Sequence, residues 1–170
     1  VLSLGTWALI GAETVGAVPT DESRALNVTH ELGIDGTVRL LRNVCGMWLL
    51  EECRRAWSVD DAAETDIPTL LAAAHDAPAF AGVLDVDAPD LATPGQTPEG
   101  IARHLDRPWD GTRGSLVRAI LESLVVRLMV RAEEIESLLG SPRQTINVVG
   151  GASRIAPLMQ WRSEEHTSEL

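Results

Sequence analysis

Basic residues are scarce in this sequence. Its 170 residues include 14 lysines and arginines but 25 aspartates and glutamates, which gives a formal net charge of −11. Nucleic acids and anionic membrane surfaces attract clustered lysines and arginines, so this balance argues against both as partners. It does not argue against a small phosphate-bearing ligand, because backbone N–H groups and a metal ion can hold phosphates without basic side chains.

Long apolar runs are absent as well. No stretch approaches the roughly 18 residues that a membrane-spanning helix needs. The first residues show neither the basic region nor the small-residue cleavage site of a signal peptide. We therefore expect a cytoplasmic protein with no membrane partner. Because the sequence starts with valine, we also expect that the natural start lies upstream.

Cysteine and histidine, two common metal ligands, are few. Cys45 and Cys53 fall on or next to one predicted helix, and their separation of about 12 Å is too long for a disulfide. Reduced thiols of this kind fit a cytoplasmic protein. The four histidines lack the spacing of a metal site. They are His30, His75, His104 and His166.

The composition, with 45% apolar residues, allows a chain of this length to bury one core. An amphipathic helix is predicted from Gly46 to Trp57. Residues 58–112 are rich in aspartate, alanine and proline, and we expect a helical and loop excursion there with no second domain. Four strands are predicted before the first helix, at 1–3, 7–12, 25–30 and 37–41, and two short helices within the excursion, at 67–75 and 98–105.

The clearest predicted element is a helix from Arg113 to Leu139. Apolar residues recur at helical spacing through its whole length. Thr112 is a candidate N-cap, and Gly140 and Pro142 are typical of a helix end.

A β-branched strand is predicted at 145–149, and a further helix from about Ser153. Strands first, followed by a helix–strand–helix unit, predict an α/β domain with a mixed sheet and flanking helices.

Two glycine turns carry the candidate chemistry. In Ser3-Leu4-Gly5-Thr6-Trp7, a turn between strands exposes N–H groups and a hydroxyl, as anion sites do, although an ordinary hairpin turn has the same pattern. In Val148-Val149-Gly150-Gly151, a strand ends in two glycines that let a flat ligand approach the main chain, although a tight strand-to-helix connection would look alike. The third glycine of a dinucleotide-binding motif is absent. We expect both turns to meet at one bound nucleotide.

Two polar residues near the first helix have ordinary structural explanations. By position alone, Asn43 is a candidate N-cap for that helix, and Glu51 is a solvated helix residue. Neither a Ser/His/Asp triad nor a general-base aspartate can be recognised from context.

Taken in order, these motifs resemble the C-terminal domain of sugar kinases of the FGGY family, and its rhamnulokinase branch in particular. The resemblance covers residues 1–161 and implies an actin-like ATPase fold (ribonuclease H-like), truncated at both ends. The motifs that carry it are Ser3-Leu4-Gly5-Thr6-Trp7, the run from Gly33 to Asn43, Gly46-Met47-Trp48-Leu49-Leu50-Glu51-Glu52-Cys53-Arg54, Ile120-Leu121-Glu122-Ser123-Leu124 and Val149-Gly150-Gly151-Ala152-Ser153-Arg154.

The resemblance also implies residue roles. Thr6 corresponds to a contact with ATP phosphates, Asn43 to a contact with the ketose, and Gly151 to packing against the adenosine. Gly5 and Gly150 are implied as further ATP-binding residues. Glu51 stands where the family usually has a glutamine that contacts ATP. A carboxylate there would repel phosphates unless it is paired, binds the metal's water shell or faces the sugar hydroxyls.

The reaction that the resemblance implies is transfer of the γ-phosphoryl group of ATP, with Mg²⁺, to the 1-hydroxyl of L-rhamnulose. The general-base aspartate, in the family's His-Asp-Thr segment, would lie upstream of Val1 in an N-terminal partner domain. We therefore expect the isolated chain to be inactive and marginally stable. Two alternatives stay open: a sister kinase acting on xylulose, ribulose or fuculose, and a non-catalytic actin-like nucleotide-binding module.

The last nine residues, Arg162 to Leu170, have no apolar periodicity. They resemble an in-frame translation of a sequencing adapter, so we expect them not to be native and leave them out of the fold prediction.

Overall fold

The computed structural model describes residues 1–59, 65–141 and 145–155. Its strands are β1 Leu2–Leu4, β2 Trp7–Thr14, β3 Thr29–Leu32, β4 Val38–Cys45 and β5 Val148–Val149. Its helices are α1 Asp21–Ala25, α2 Trp48–Trp57, α3 Ile67–Asp76, α4 Pro98–Ala102 and α5 Arg113–Leu139, with 3₁₀ turns at Ile34–Gly36, Pro89–Ala92 and Gly151–Arg154.

The five strands form one mixed sheet in the order β3-β4-β2-β1-β5. Neighbouring strands run antiparallel except β5, which lies parallel to β1. A parallel neighbour needs a long crossover connection, and α5 lies within that connection. The predicted α/β architecture with a mixed sheet and helices is confirmed.

One face of the sheet is covered by helices. In β2, Ala8 and Ile10 are buried while Trp7 and Leu9 are exposed, as alternation along a strand requires. The buried side chains pack against α5 and belong to a single main core. Its large, fully buried members include Leu2, Leu4, Leu49, Leu116, Ile120, Leu121 and Leu124.

The long helix α5 has the predicted bounds. The Thr112 hydroxyl accepts the amide of Ser115 at 3.3 Å as its N-cap, and Gly140 ends it in the left-handed conformation with φ of 64°. With 27 residues the helix is about 40 Å long, enough to cover the sheet. Pro142 lies outside the described residues.

The excursion packs onto α5 and adds to the same core. Gly114 on α5 lies so close to α3 that a Cβ there would stand 2.5 Å from the carbonyl oxygen of Ala73. Leu70, Leu84 and Leu91 of this segment are buried in the main core. Residues 60–64 lie outside the description.

Several local predictions differ from the structure. The strand predicted at 37–41 extends to Cys45, and the helix predicted at 98–105 ends at Ala102. The strand expected at 25–30 begins only at Thr29, because Thr20 and Ser23 form a capping box that starts α1 instead. The strand expected at 145–149 contains only its last two residues. The turn at Gly151–Arg154 is 3₁₀ where a helix was expected from about Ser153. The remainder of that expected helix and residues 162–170 lie outside the described part.

Within the described residues, no helix is long and apolar enough to cross a membrane.

Candidate functional site

The first glycine turn joins β1 to β2. The Gly5 amide donates to the carbonyl oxygen of Trp7 at 3.1 Å, which closes the turn. Thr6 is exposed at its tip. The Thr6 hydroxyl makes no hydrogen bond to any described residue, so it is available to an outside acceptor or donor.

The second glycine turn lies directly beside the first. Because β5 runs parallel to β1, with Ser3 opposite Val149, both strands end at the same edge of the sheet. Gly150 touches the main chain of Leu4, where an added Cβ would stand 2.9 Å from the carbonyl carbon and still closer to the oxygen. Its φ of 99° also requires glycine. The structure therefore brings the two predicted turns together.

The following turn leaves main chain accessible. The amide and hydroxyl of Ser153 both donate to the Gly150 carbonyl oxygen, at 3.2 and 2.6 Å. Gly151 is exposed, and a Cβ there would meet open space. Among the described residues, none blocks the approach of a flat ligand to Gly151 on this side.

The start of α2 holds the first turn from the opposite side. The amide of Met47 donates to the Gly5 carbonyl oxygen at 2.9 Å, and the amide of Trp48 donates to that of Thr6 at 3.0 Å. Gly46 permits this approach, because a Cβ there would stand 2.5 Å from the Gly5 oxygen. The turn is thus fixed between β5 and α2.

Asn43 lies within β4, opposite Leu9 of β2. It is not an N-cap, since that position of α2 is occupied by Met47 and has no side-chain cap. Its neighbour Val44 is buried whereas Asn43 is exposed. Alternation along the strand therefore turns the amide toward the face of the sheet that the described helices leave open.

Glu51 is paired. Both of its carboxylate oxygens accept from the guanidinium of Arg54, at 3.0 and 2.7 Å. Arg54 is itself fixed by its Nε donating to the carbonyl oxygen of Thr65 at 2.8 Å. Glu51 lies one helical turn from Trp48, whose amide contacts Thr6. The negative charge of Glu51 is therefore compensated by Arg54.

Other reactive groups near the site are inert. Burial, with the nearby Asp87 carboxylate, raises the pKa of the Cys45 thiol to about 12. Burial, with Glu99 and Glu52, does the same for the pKa of Cys53. Neither thiol is a nucleophile at neutral pH. The described residues contain no cluster of three or more histidines, cysteines or carboxylates that could hold a metal ion.

Sequence reasoning missed two supports of the site. Arg54 could have been found, because its spacing from Glu51 is that of an ion pair on one helix face. Asp87 accepts the Cys45 amide at 3.1 Å, but it lies far away in sequence within a proline-rich segment. No local sequence pattern connects Asp87 with Cys45.

The model for the C-terminal domain of the FGGY family of carbohydrate kinases matches residues 1–164. The chain belongs to the FGGY family of carbohydrate kinases. This match spans the glycine turns, Asn43 and the start of α2. The resemblance on which the sequence prediction was based is confirmed.

Several curated relatives of this FGGY domain are rhamnulokinases. One from Bacteroides thetaiotaomicron is 40% identical over 156 residues, which is 90% of this chain and 31% of the relative. One from Enterococcus faecalis is 32% identical, over 89% of this chain and 31% of the relative. One from Pectobacterium carotovorum subsp. carotovorum is 31% identical, over 94% and 32%. The chain thus spans about a third of the length of these relatives.

Solved structures show the same fold for the FGGY domain. Xylulose kinase from Rhodospirillum rubrum superposes with a TM-score of 0.69 at 17% identity, over 95% of this chain and 32% of that one. Xylulose kinase from Bifidobacterium adolescentis gives 0.59 at 22% identity, over 92% and 30%. The predicted actin-like ATPase fold is confirmed.

Proposed function

We propose that the longer protein containing this FGGY domain phosphorylates L-rhamnulose with ATP to give L-rhamnulose 1-phosphate. The observation that carries a nucleotide-dependent function is the contact of Gly150 with Leu4, which joins the two glycine turns at one edge of the sheet. The choice of sugar is supported by the relatives named rhamnulokinase, the most similar of the three described above being 40% identical.

The residues of this chain suit binding and orientation. The free hydroxyl of Thr6 donates to a phosphate oxygen, beside the turn at Gly5. Gly150 and Gly151 let the adenosine lie against main chain, and the Asn43 amide hydrogen-bonds ketose hydroxyls. When bound, ATP supplies the phosphoryl group. Such transfer depends mainly on positioning and charge neutralisation, and positioning is the task assigned to these residues.

Glu51 is compatible with this proposal because Arg54 compensates its charge. The charges of Glu51 and Arg54 cancel near the start of α2, so phosphates placed beside Thr6 do not face an isolated carboxylate. Glu51 is thereby proposed as an ATP contact in its paired form.

Magnesium is the expected companion of ATP, but the described residues do not fit as its dedicated site. They bring together no group of three or more candidate metal ligands. Mg²⁺ characteristically binds through substrate phosphates with one or two carboxylates. We assign no residue of this chain to it and derive no step through it.

The general base is proposed to come from the part of the longer protein that precedes Val1, in an N-terminal domain that packs with this one. The proposed location is the cytoplasm. A second candidate substrate is xylulose or a related ketose, favoured by the structural similarity to two xylulose kinases. This similarity concerns the fold, whereas the sequence relatives favour rhamnulose.

A ketose panel tests the proposal. The full-length protein is assayed with ATP and with L-rhamnulose, xylulose, ribulose and fuculose, and we expect the largest kcat/KM with L-rhamnulose. Thr6→Val should raise KM for ATP by about tenfold or more through loss of one charge-assisted hydrogen bond. Thr6→Ser keeps the hydroxyl and should stay within about threefold of the parent. No ATP-dependent phosphorylation of any ketose, or equal behaviour of both variants, would contradict the proposal.

A further inference from the structure

A chain of ion pairs runs from α5 to both sides of Asn43. It begins at Arg42, whose Nη1 contacts Glu134 of α5 at 2.8 Å. Glu134 also accepts from Arg131, at 2.8 and 2.9 Å. Arg131 then donates to Asp87 at 2.9 Å, and the other oxygen of Asp87 accepts the Cys45 amide at 3.1 Å.

These ion pairs lie beside the part of β4 that has a neighbouring strand on one side only. β2 pairs with β4 along its whole length, but β3 pairs only with residues 38–41. Beyond Leu41 the second edge of β4 has no strand neighbour among the described residues. Asp87 supplies the hydrogen-bond acceptor that a neighbouring strand would otherwise provide for Cys45.

The ion pairs are shielded from solvent. The side chains of Arg131 and Arg42 are 11% and 15% exposed. Charge-assisted hydrogen bonds in such surroundings are short and directional, and removing Asp87 leaves Arg131 paired with Glu134 alone. They therefore fix the position of the backbone that they contact.

The segment that carries Asp87 also contacts α2. The indole Nε1 of Trp48 donates to the carbonyl oxygen of Leu91 at 3.1 Å. The buried carboxylate of Glu52 accepts the amides of Gly95 and Gln96, at 2.7 and 2.9 Å. Residues 85–96, which we call the brace segment, thus hold both the end of β4 and the start of α2.

We propose that Asp87 and Arg131 are positioning residues for Asn43, and that through the end of β4 they set the affinity for the ketose. This inference rests on the proposed role of Asn43 as a ketose contact. Both neighbours of the Asn43–Val44 pair, Arg42 and Cys45, are held by this one network. The Asn43 amide is therefore presented on a strand end that cannot shift without breaking an ion pair.

The matched control is Asp106. Its Oδ1 accepts the Val83 amide at 2.8 Å, which is the same carboxylate-to-backbone bond in the same excursion, but the Asp106 side chain forms its hydrogen bond and ion pair with Val83 and Arg107, outside β4 and α2. Asp106→Ala therefore reports the general cost of loosening the excursion.

The test uses the full-length protein with L-rhamnulose and ATP, and thermal unfolding monitors folding. Asp87→Ala should raise KM for the ketose by about tenfold while KM for ATP stays within about twofold, because the Asp87 carboxylate contacts β4 and α5 and none of the proposed ATP contacts on the two glycine turns and α2. Asp106→Ala should leave both KM values within about twofold. Asp87→Asn keeps an acceptor for Cys45 but loses the charge facing Arg131, so it should give a smaller rise in an intact fold.

A double-mutant cycle with Asn43→Ala decides the mechanism. If Asp87 acts through Asn43, Asp87→Asn should raise KM for the ketose in the parent and leave it nearly unchanged in the Asn43→Ala background. Fully additive effects, equal increases of KM for ketose and ATP, or an equal effect of Asp106→Ala would each overturn the inference. Failure of the parent protein to phosphorylate a ketose would instead overturn the proposed function, so the two failures are distinguishable.

Discussion

Gly150 packs against the main chain of Leu4, with no room for a side chain between them. This contact continues the pairing of β5 with β1 to the ends of the two strands, which lie at opposite ends of the sequence. It places the Gly150-Gly151 turn beside the Gly5-Thr6 turn. The proposed nucleotide site depends on this proximity.

The two adjacent glycines should respond differently to alanine. At Gly150 an added Cβ meets Leu4 and the φ of 99° is unfavourable for alanine. We expect Gly150→Ala to lower the free energy of unfolding by about 2–4 kcal/mol. At Gly151 a Cβ meets open space, so Gly151→Ala should preserve stability and raise KM for ATP. Chemical denaturation and ATP kinetics of the full-length protein measure both, and equal loss of stability in the two variants would contradict the account.

The Glu51–Arg54 ion pair predicts an effect that depends on background. Arg54→Met leaves an uncompensated carboxylate near the proposed phosphate position and should raise KM for ATP by about 3- to 10-fold at low ionic strength. In the Glu51→Gln/Arg54→Met double variant neither charge is present, as in the compensated parent pair, so KM for ATP should return to within about twofold of the parent value.

Salt provides the control for this charge effect. Raising the ionic strength should shrink the difference between Arg54→Met and the parent, since both side chains are partly exposed and their charges are screened. If the double variant keeps the raised KM of Arg54→Met, or if that rise is insensitive to salt, Arg54 has a packing role and not an electrostatic one.

The two buried thiols predict slow chemical modification and an alkaline loss of stability. Burial raises the pKa of Cys45 and Cys53 from 9.0 to about 12, which lowers the thiolate fraction at pH 8 by about 1,000-fold. Labelling followed by peptide mapping should find both thiols protected in the native protein and modified after unfolding.

The sign of the linkage follows from the same pKa shift. A thiol whose pKa is raised by folding contributes its stabilisation fully below pH 9.0, its ordinary pKa, and loses it as the pH rises toward about 12. Stability should therefore fall over this range, and less steeply in Cys53→Ser. Rapid labelling of native protein at pH 8 would show that the thiols are accessible and their pKa values ordinary.

Loss of the N-cap of α5 should change the stability of the domain without changing the KM values. Thr112 accepts the Ser115 amide and also donates to Asp110 at 2.9 Å. Thr112→Ala should cost about 1 kcal/mol, whereas Thr112→Ser keeps the cap. Since Thr112 lies at the end of α5 opposite to Arg131 and Glu134, KM values should not change. A change in KM without a change in the free energy of unfolding would contradict this expectation.

The elements whose bounds were predicted correctly are those that local sequence signals determine. Thr112, the apolar periodicity and Gly140 together defined both ends of α5, because helix caps and helical spacing act within a few residues. The strand expected at 25–30 was misplaced for the same kind of reason. The Thr20–Ser23 capping box is also a local signal, and it was overlooked.

Only part of the candidate site could be predicted from the sequence. Gly5-Thr6, Asn43 and Gly150-Gly151 could be named because each belongs to a short motif that resembles one family. Their spatial arrangement could not be derived from composition or spacing. The alternative that Asn43 caps α2 was wrong because β4 extends to Cys45, four residues beyond its predicted end at Leu41. Pairing with β2, a tertiary interaction, sets that length.

The sequence alone determined the α/β class, the long helix, the acidic balance and the FGGY family, because each depends on residue types and on short-range spacing. Only the tertiary structure decided that β5 pairs with β1 and that Asp87 reaches Cys45. Both contacts join residues far apart along the chain. Such contacts form through packing of the whole domain, which no local pattern encodes.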